Sequence, residues 1–250
     1  MTIDPRNYKY SKFLLKDRII MVTGASDGIG KALALEVAKL GAKVILHGRN
    51  KKKLEKVYDQ INKIENTLCP SIVMLDLLNA NADSYTSLAN SIENEFGRLD
   101  GLVHNAAILG SRFPIEQYDI VMWQKVMHTN VTAGFALTQV LLPALRQSCD
   151  ASIIFTSSGV GRIGEAYWGA YASSKFAIEG LSQVLADEHR HSKLRSNCIN
   201  PGATRTNMRL EAFPGENRDT LITAREILTP YIYLLGPDSI GVTGKTFDAQ

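Results

Sequence analysis

The sequence predicts a doubly wound α/β fold, a parallel sheet with helices packed on both faces. Two observations carry that expectation. Apolar runs of strand length alternate along the chain with amphipathic segments of helix length, the signature of successive βαβ units. The first apolar run also opens into a glycine-rich turn that leads straight into a helical pattern, as the phosphate-binding turn of a dinucleotide-binding fold does.

Strand one, 18–23, carries Ile19-Ile20-Met21-Val22-Thr23, apolar at consecutive positions, so burial of both faces is expected. Helical periodicity follows over 29–40 and stops at Gly41, after which 43–47 reads as strand two. The pair of signals repeats as helix 51–64 with strand three, 71–76, and as helix 82–96, stopped by Gly97, with strand four, 101–104. A long apolar helical segment, 118–147, precedes strand five, 151–156. Helix 168–191, strand six at 195–200 and a C-terminal strand at 244–250 complete the series. The least regular stretch is 207–223, polar and turn-rich around Phe213-Pro214-Gly215-Glu216-Asn217. A loop of that length is typically functional, so it is expected to cover the substrate.

A chain of 250 residues is ordinary for one α/β domain with a large core, and no repeat or flexible linker divides it; a single domain over 1–250 is expected. The 28 Lys+Arg and 25 Asp+Glu leave a formal charge of +3 without a long block of either sign, which argues against nucleic-acid binding. Cys69, Cys149 and Cys198 are far apart and odd in number, which fits neither a disulfide framework nor a metal site. Residues 1–16 lack the apolar core of a targeting signal, and no later stretch approaches the ~20 apolar residues of a membrane span. A soluble, cytoplasmic protein without metal is the expectation.

The turn after strand one reads Gly24-Ala25-Ser26-Asp27-Gly28-Ile29-Gly30. Gly24 permits a tight turn, Gly28 lets the backbone approach a pyrophosphate, and Gly30 lets the helix pack against the strand, while the helix N-terminus offers free N–H groups to phosphate. Ser26, Asp27 and Ile29 fill the same turn and are expected at the dinucleotide with the glycines. Strand two ends His47-Gly48-Arg49-Asn50. An acid there would select NAD through the ribose 2′-hydroxyl; glycine stands in its place, and Arg49 and Asn50 offer donors suited to the 2′-phosphate of NADP. NADP(H) is therefore favoured over NAD(H), with Asp27 as the one residue that counts against it.

Tyr171 and Lys175 lie four apart in a helical run, hence on one face. Strand five stops just upstream at Ser157-Ser158-Gly159, so a hydroxyl can meet them at the strand's carboxyl end. A neighbouring ammonium favours the phenolate and lowers a phenol's pKa from ~10, which suits a tyrosine that trades protons. Two amphipathic side chains on an ordinary helix would leave the same trace.

Together these motifs place the chain: Thr23-Gly24-x-x-x-Gly28-x-Gly30, Asn105-Ala106-Ala107, Asn130, Ser158, Tyr171-x-x-x-Lys175 and Pro201-Gly202-x-x-x-Thr206 follow the order of the short-chain dehydrogenase/reductase family, which the sequence resembles from about residue 16 onward. Within the family it is similar to bacterial NADP-type oxidoreductases. The resemblance implies Tyr171 as acid/base in hydride transfer between an alcohol and a carbonyl compound, Lys175 as its tuning group and as a ligand of the nicotinamide ribose, Ser158 as the group holding the substrate oxygen, and Asn130 as support for a water that links Lys175 to solvent. It also implies that Asp76 and Leu77 receive the adenine, that Asn105 and Ala106 border the cofactor, and that Pro201, Gly202, Thr204 and Thr206 fix the carboxamide and phosphates. Helices 118–147 and 168–191 form subunit faces in the family, so a homodimer or homotetramer is expected.

Three departures stand out: Ala107 where glycine is usual, Asp27 where NADP-using members often carry a basic residue, and a C-terminus without Asp-Gly-Gly. The substrate end is expected to mix apolar and basic residues, with Arg162 a candidate for meeting an anionic group. A non-catalytic NADP(H)-binding sensor on the same fold is the alternative.

Overall fold

The computed structural model describes residues 4–250; residues 1–3 of the N-terminal stretch, and of the expected domain, lie outside the described residues. Seven parallel strands form one sheet in the order β3-β2-β1-β4-β5-β6-β9: β1 (Ile19–Thr23), β2 (Lys43–Gly48), β3 (Ser71–Met74), β4 (Gly101–His104), β5 (Ala151–Thr156), β6 (Leu194–Asn200) and β9 (Thr246–Asp248). Every residue of β1 and β5 is buried, as consecutive apolar positions require of central strands covered on both sides. The chain runs outward from β1 through β2 to β3, then returns to start again at β4 beside β1. Strand order reverses there, and at such a point the connections diverge and leave a crevice beyond the carboxyl ends.

Two apolar layers flank the sheet. One joins α1 (Gly28–Lys39), α2 (Lys51–Asn62) and α8 (Thr229–Leu235) to the sheet; the other joins α3 (Ala82–Phe96), α5 (Ala133–Arg146) and α6 (Gly169–Glu188). Capping fixes where several of these helices start: Asp27, Asn50 and Asn81 each accept a backbone N–H of the first turn. At the amino ends of the strands, far from the crevice, buried Arg195 donates to Asp150 (2.9 Å) and Asp100 accepts from the Ile19 N–H (2.8 Å), which ties four strands or their approaches together.

Several elements differ from expectation. The predicted helix 118–147 is α4 (Ile120–Met127) and α5, joined by one π-type turn, His128–Thr132. Apolar periodicity is blind to such a wide turn, which shifts the hydrogen-bond ladder without ending the helix. Strand three stops at Met74, because Leu75 and the residues after it bend away into a turn held by Asp76. The stretch 207–223 is not an irregular loop: it contains α7 (Asn207–Ala212), a 3-10 turn at Arg218–Thr220 and β8 (Ile222–Thr223), which pairs with β7 (Thr204–Arg205). Helix α8 escaped the sequence reading because six of its seven residues are buried, which leaves no polar face to set a period. Among the described residues, no helix is long and apolar enough to cross a membrane, and no group of three His, Cys, Asp or Glu could hold a metal ion.

Candidate active site

A cleft of ≈ 930 Å³ opens along the carboxyl ends of the strands, and the glycine turn, Arg49, Asp76, Asn105, Ser158, Tyr171, Lys175 and Thr206 all line it. At its centre the switch point is stitched by Thr23. Its hydroxyl donates to the Val103 carbonyl (3.1 Å) and accepts from the N–H groups of Asn105 (2.9 Å) and Ala106 (3.0 Å), while the Asn105 amide donates to the Thr23 carbonyl (3.1 Å). The turn beyond β1 is held so tightly that only glycine fits at two places. Gly24 has φ +66°, and a Cβ on Gly30 would lie 2.4 Å from the Gly24 carbonyl oxygen and 2.5 Å from the Asn105 amide. This cradle, with the N-terminus of α1 behind it, fits a dinucleotide pyrophosphate.

At the end of β2, Arg49 is exposed and makes no hydrogen bond or ion pair among the described residues, so its fork is free for phosphate. The Asn50 side-chain oxygen is spent on capping α2, accepting from the Lys53 N–H (3.0 Å). Asp27 accepts from its neighbour Gly28 N–H (2.8 Å) and from the Asn207 amide (2.7 Å), and it pairs with Lys53 (3.6 Å). Lys53 also lines the cleft. Arg49 is thus not the sole cation here, as the sequence suggested. Lys53 follows Arg49 by one helical turn, a spacing visible in the Lys51-Lys52-Lys53 run but hidden among its exposed neighbours. Asp27 has its carboxyl held low although burial opposes this, because Asn207, the Gly28 N–H and Lys53 all favour the anion. Its charge is largely answered within the chain.

Asp76 and Leu77 both line the cleft. The Asp76 carboxylate accepts from Leu78 N–H (3.2 Å) and the Asn79 amide (2.8 Å), so it also builds its own turn. Pro201, Gly202, Thr204 and Thr206 border the opposite wall. The Thr206 oxygen caps α7 by accepting from Arg209 N–H (3.1 Å), and Thr204 donates to the Pro201 carbonyl (3.1 Å). The final residue braces this loop: the Gln250 amide donates to the Pro201 carbonyl (2.7 Å) and to Thr204 (3.3 Å).

Tyr171 and Lys175 share one face of α6, with the Lys175 ammonium 5.3 Å from the centre of the Tyr171 ring and donating to the Thr156 carbonyl at the end of β5 (2.7 Å). The downward pull expected of this ammonium on the phenol is outweighed by the partial burial of Tyr171. Burial pushes the Tyr171 hydroxyl well above its ordinary value, and burial lowers Lys175 to about 8 against the opposing pull of Cys198 and Glu179. The reason is geometric: the ammonium points at the Thr156 carbonyl and lies over the ring, and among the described residues the partner of the Tyr171 hydroxyl is the Met208 sulfur at 3.8 Å. Ser158 and Ser157 separate cleanly. Ser157 donates to Glu179 (2.5 Å), whereas the partly buried Ser158 hydroxyl lines the cleft without a partner among the described residues.

Asn130 lies in the π-type turn between α4 and α5. Its side chain accepts from Ile108 N–H (2.8 Å) and donates to the Ile108 carbonyl (3.0 Å) and Ser174 (3.0 Å). Both amide hydrogens are therefore engaged in joining the loop after β4 to α6, and a water beside Lys175 would have to use the Asn130 backbone instead.

Leu109, Met122, Trp168, Met208 and Ala212 line the substrate end, with Val160 and Phe213 packed behind them. Its arginines are committed elsewhere. Arg162, a candidate for meeting an anionic group, pairs with Asp248 (3.0 Å) and Glu179 (3.7 Å) instead. Arg112 stacks between Trp168 (4.5 Å) and Phe213 (4.8 Å) and donates to the Ala212 carbonyl; Arg209 covers the other face of Phe213 (3.9 Å) and is held by Glu216 (2.6 Å). Sequence offered no sign of this stack, because its members come from three separate loops.

Comparison with known proteins agrees with this geometry. The short chain dehydrogenase family profile matches residues 18–217. The chain belongs to this family. It is 51% identical over 244 residues to the uncharacterized oxidoreductase YciK of Escherichia coli (strain K12), covering 98% of this chain and 96% of that protein. A short chain dehydrogenase structure from Shigella flexneri 2a, complexed with NADP, superposes with TM-score 0.93 at 52% identity over 96% of this chain and all of that one. One from Escherichia coli CFT073, complexed with NADPH, gives TM-score 0.94 at 52% identity with the same coverage. The fold, an oxidoreductase ancestry and the family's glycine turn thus converge on the same cleft.

Proposed function

We propose that this chain is an NADP(H)-dependent oxidoreductase that interconverts an alcohol and a carbonyl compound, with Tyr171 as the acid/base. The observation that supports this above others is that Tyr171, Lys175 and Ser158 line one cleft with the glycine turn, Arg49 and Lys53. Relatives in complex with NADP and NADPH support the choice of cofactor. The nicotinamide, when bound, supplies or accepts the hydride. Arg49 and Lys53 hold the 2′-phosphate by charge, and the α1 N-terminus and glycine turn hold the pyrophosphate. Ser158 donates to the carbonyl oxygen and sets its position. Tyr171 then gives that oxygen its hydroxyl proton, and its high proton affinity keeps it in the donor form at neutral pH. Lys175 binds the ribose hydroxyls and stabilises the charge left on the phenol. A sensor would not need this donor set.

The substrate end favours a largely apolar compound, since Leu109, Trp168, Met208 and Ala212 line it, Arg162 and Arg209 are paired with carboxylates, and Arg112 is stacked on Trp168 and Phe213. The proposed setting is the cytoplasm, with a homodimer or homotetramer as the working form. Consumption of NADPH by the full chain with a panel of apolar ketones and aldehydes tests the reading. Turnover of at least one member is expected, and none across the panel, with NADPH bound, would favour the sensor.

A further inference from the structure

We propose that Glu179 is a positioning residue of this site: its carboxylate, one helical turn beyond Lys175, ties the Ser157-Ser158 turn to α6 and places a negative charge on the helix face that carries the buried Lys175 ammonium. This rests on the reading of Lys175 as part of the proton-handling site.

Glu179 is poorly placed for an ordinary surface carboxylate. Its side chain is only 12% exposed, and both oxygens are occupied. One accepts from the Ser157 hydroxyl at 2.5 Å, the other from the Thr246 hydroxyl of β9 at 3.2 Å. A buried carboxylate costs several kcal/mol of lost hydration unless it is paired and hydrogen-bonded. The nearest pairing cation, the Arg162 guanidinium, stands off at 3.7 Å and is shared with Asp248. Part of the charge of Glu179 is therefore left to act on its surroundings.

Those surroundings contain the site. Glu179 follows Lys175 by four residues on α6, the spacing that stacks side chains on one helix face. Ser157 and Lys175 pack on either side of Gly161, where an added Cβ would come within 2.8 Å of both the Ser157 Oγ and the Lys175 Cβ. Ser157 is bonded through the backbone to Ser158, so the short hydrogen bond to Glu179 sets the turn that presents the Ser158 hydroxyl. The titratable and charged groups facing Lys175 are few. They are Tyr171 and Glu179 on α6 and the buried Cys198 thiol on β6; one step further out, Arg162 after β5 pairs with Glu179 and with Asp248 of β9, and the buried Tyr231 hydroxyl on α8 meets Thr156. Burial drives Lys175 toward the neutral form, whereas Glu179 and Cys198 oppose that drive. Burial also pushes the Cys198 thiol up to about 12, so it is uncharged near neutral pH. Among the described residues, Glu179 is then the carboxylate that opposes burial at Lys175.

The test reads Lys175 directly in the full chain labelled with carbon-13 at lysine Cε, its resonance assigned from Lys175→Arg, so that it stands apart from turnover. Glu179→Gln keeps an oxygen for Ser157 but removes the charge. The Lys175 midpoint is expected to fall by about one pH unit, the scale of a nearby unit charge outside ion-pair contact. Arg162→Gln removes the opposing charge and is expected to move the midpoint upward, which keeps the proposal testable if the first variant fails to fold. A role for Glu179 in packing alone leaves both midpoints where the unmutated chain has them, and that result overturns the proposal. Failure of every carbonyl compound to turn over would instead sink the oxidoreductase reading and leave these titrations intact.

Discussion

Asp27, in the turn that cradles the pyrophosphate, accepts a hydrogen bond of 2.7 Å from Asn207, 180 positions later at the start of α7. The cofactor turn and the cover of the substrate end are therefore in direct contact. At its other end α7 is held by Arg112, which donates to the Ala212 carbonyl and stacks on Phe213. Removing the first latch should loosen the cover without touching the glycines. Asn207→Ala is expected to weaken NADPH binding by about three- to tenfold, the scale of one lost hydrogen bond to a charged group in an exposed setting. It should also speed limited proteolysis within 207–223. An unchanged Kd together with an unchanged cleavage rate would show that the latch is incidental.

Two cations, not one, stand where the 2′-phosphate is expected. Arg49→Ala should lower NADPH affinity roughly ten- to hundredfold and leave NADH nearly untouched, because it removes a charge-assisted donor with no partner among the described residues. Lys53→Ala should do less. Its charge is already shared with Asp27 at 3.6 Å, and Asp27 keeps its Asn207 and Gly28 N–H donors after the change. Both changes should also flatten the salt dependence of NADPH binding. Equal titrations of the unmutated protein by NADPH and NADH would end this assignment.

These two predictions show where sequence reading works. The glycine turn, the end of β2 and the Tyr171/Lys175 pair were legible because each depends on spacing along one or two elements, and spacing is what a sequence records. The doubly wound sheet was legible for the same reason. Lys53 was hidden because its partner Asp27 sits 26 residues earlier, and the Trp168–Arg112–Phe213 stack because three loops meet there. The raised proton affinity of the phenol cannot be read from the motif alone. Four-residue spacing puts Lys175 beside Tyr171, but only the fold aims the ammonium at the Thr156 carbonyl and lets burial dominate.

His47, in β2, is fully buried with neither ring nitrogen hydrogen-bonded, and burial lowers it to about 4. A histidine whose folded value lies below its unfolded ~6.5 gains protons on unfolding in the window between the two. Stability should therefore be full above pH ~6.5 and fall as the pH drops toward 4, by up to about 2 kcal/mol at pH 5 from this residue alone. His104, lowered to about 3 by burial and by His47, acts with the same sign. The Tm is expected to decline between pH 7 and pH 5, and His47→Gln, if it folds, should flatten part of that slope. A Tm independent of pH over this range would contradict the account.

Exposed apolar side chains on α5 and α6, Phe135 (48%), Phe176 (46%) and Val184 (54%), lie on the helices expected to form a subunit face. A pair of chains burying them should persist at micromolar concentration. Light scattering is expected to give twice or four times the chain mass of 27.5 kDa. Phe176→Glu should shift that mass toward the monomer.

The last prediction concerns Tyr171 itself. Tyr171→Phe keeps the ring packed against Trp168, 5.8 Å between ring centres, and loses only a hydroxyl whose partner among the described residues is a methionine sulfur. Fold and NADPH affinity should therefore survive while carbonyl reduction falls by about 10² or more, the scale of a lost general acid. Partial burial raises the proton affinity of the Tyr171 hydroxyl, and burial sets Lys175 at about 8. In the reductive direction the donor form is then present throughout, and the rate should stay level from pH 6 to near 8. It should decline above that as Lys175 loses its charge, because a neutral amine no longer stabilises the phenolate left by proton transfer. The sign is fixed by the base: raising the pH can only remove its charge. Lys175→Ala should lower the plateau and abolish the decline. If Tyr171→Phe keeps most of its turnover, or the rate rises steadily through pH 8 in the unmutated protein, Tyr171 is not the proton donor.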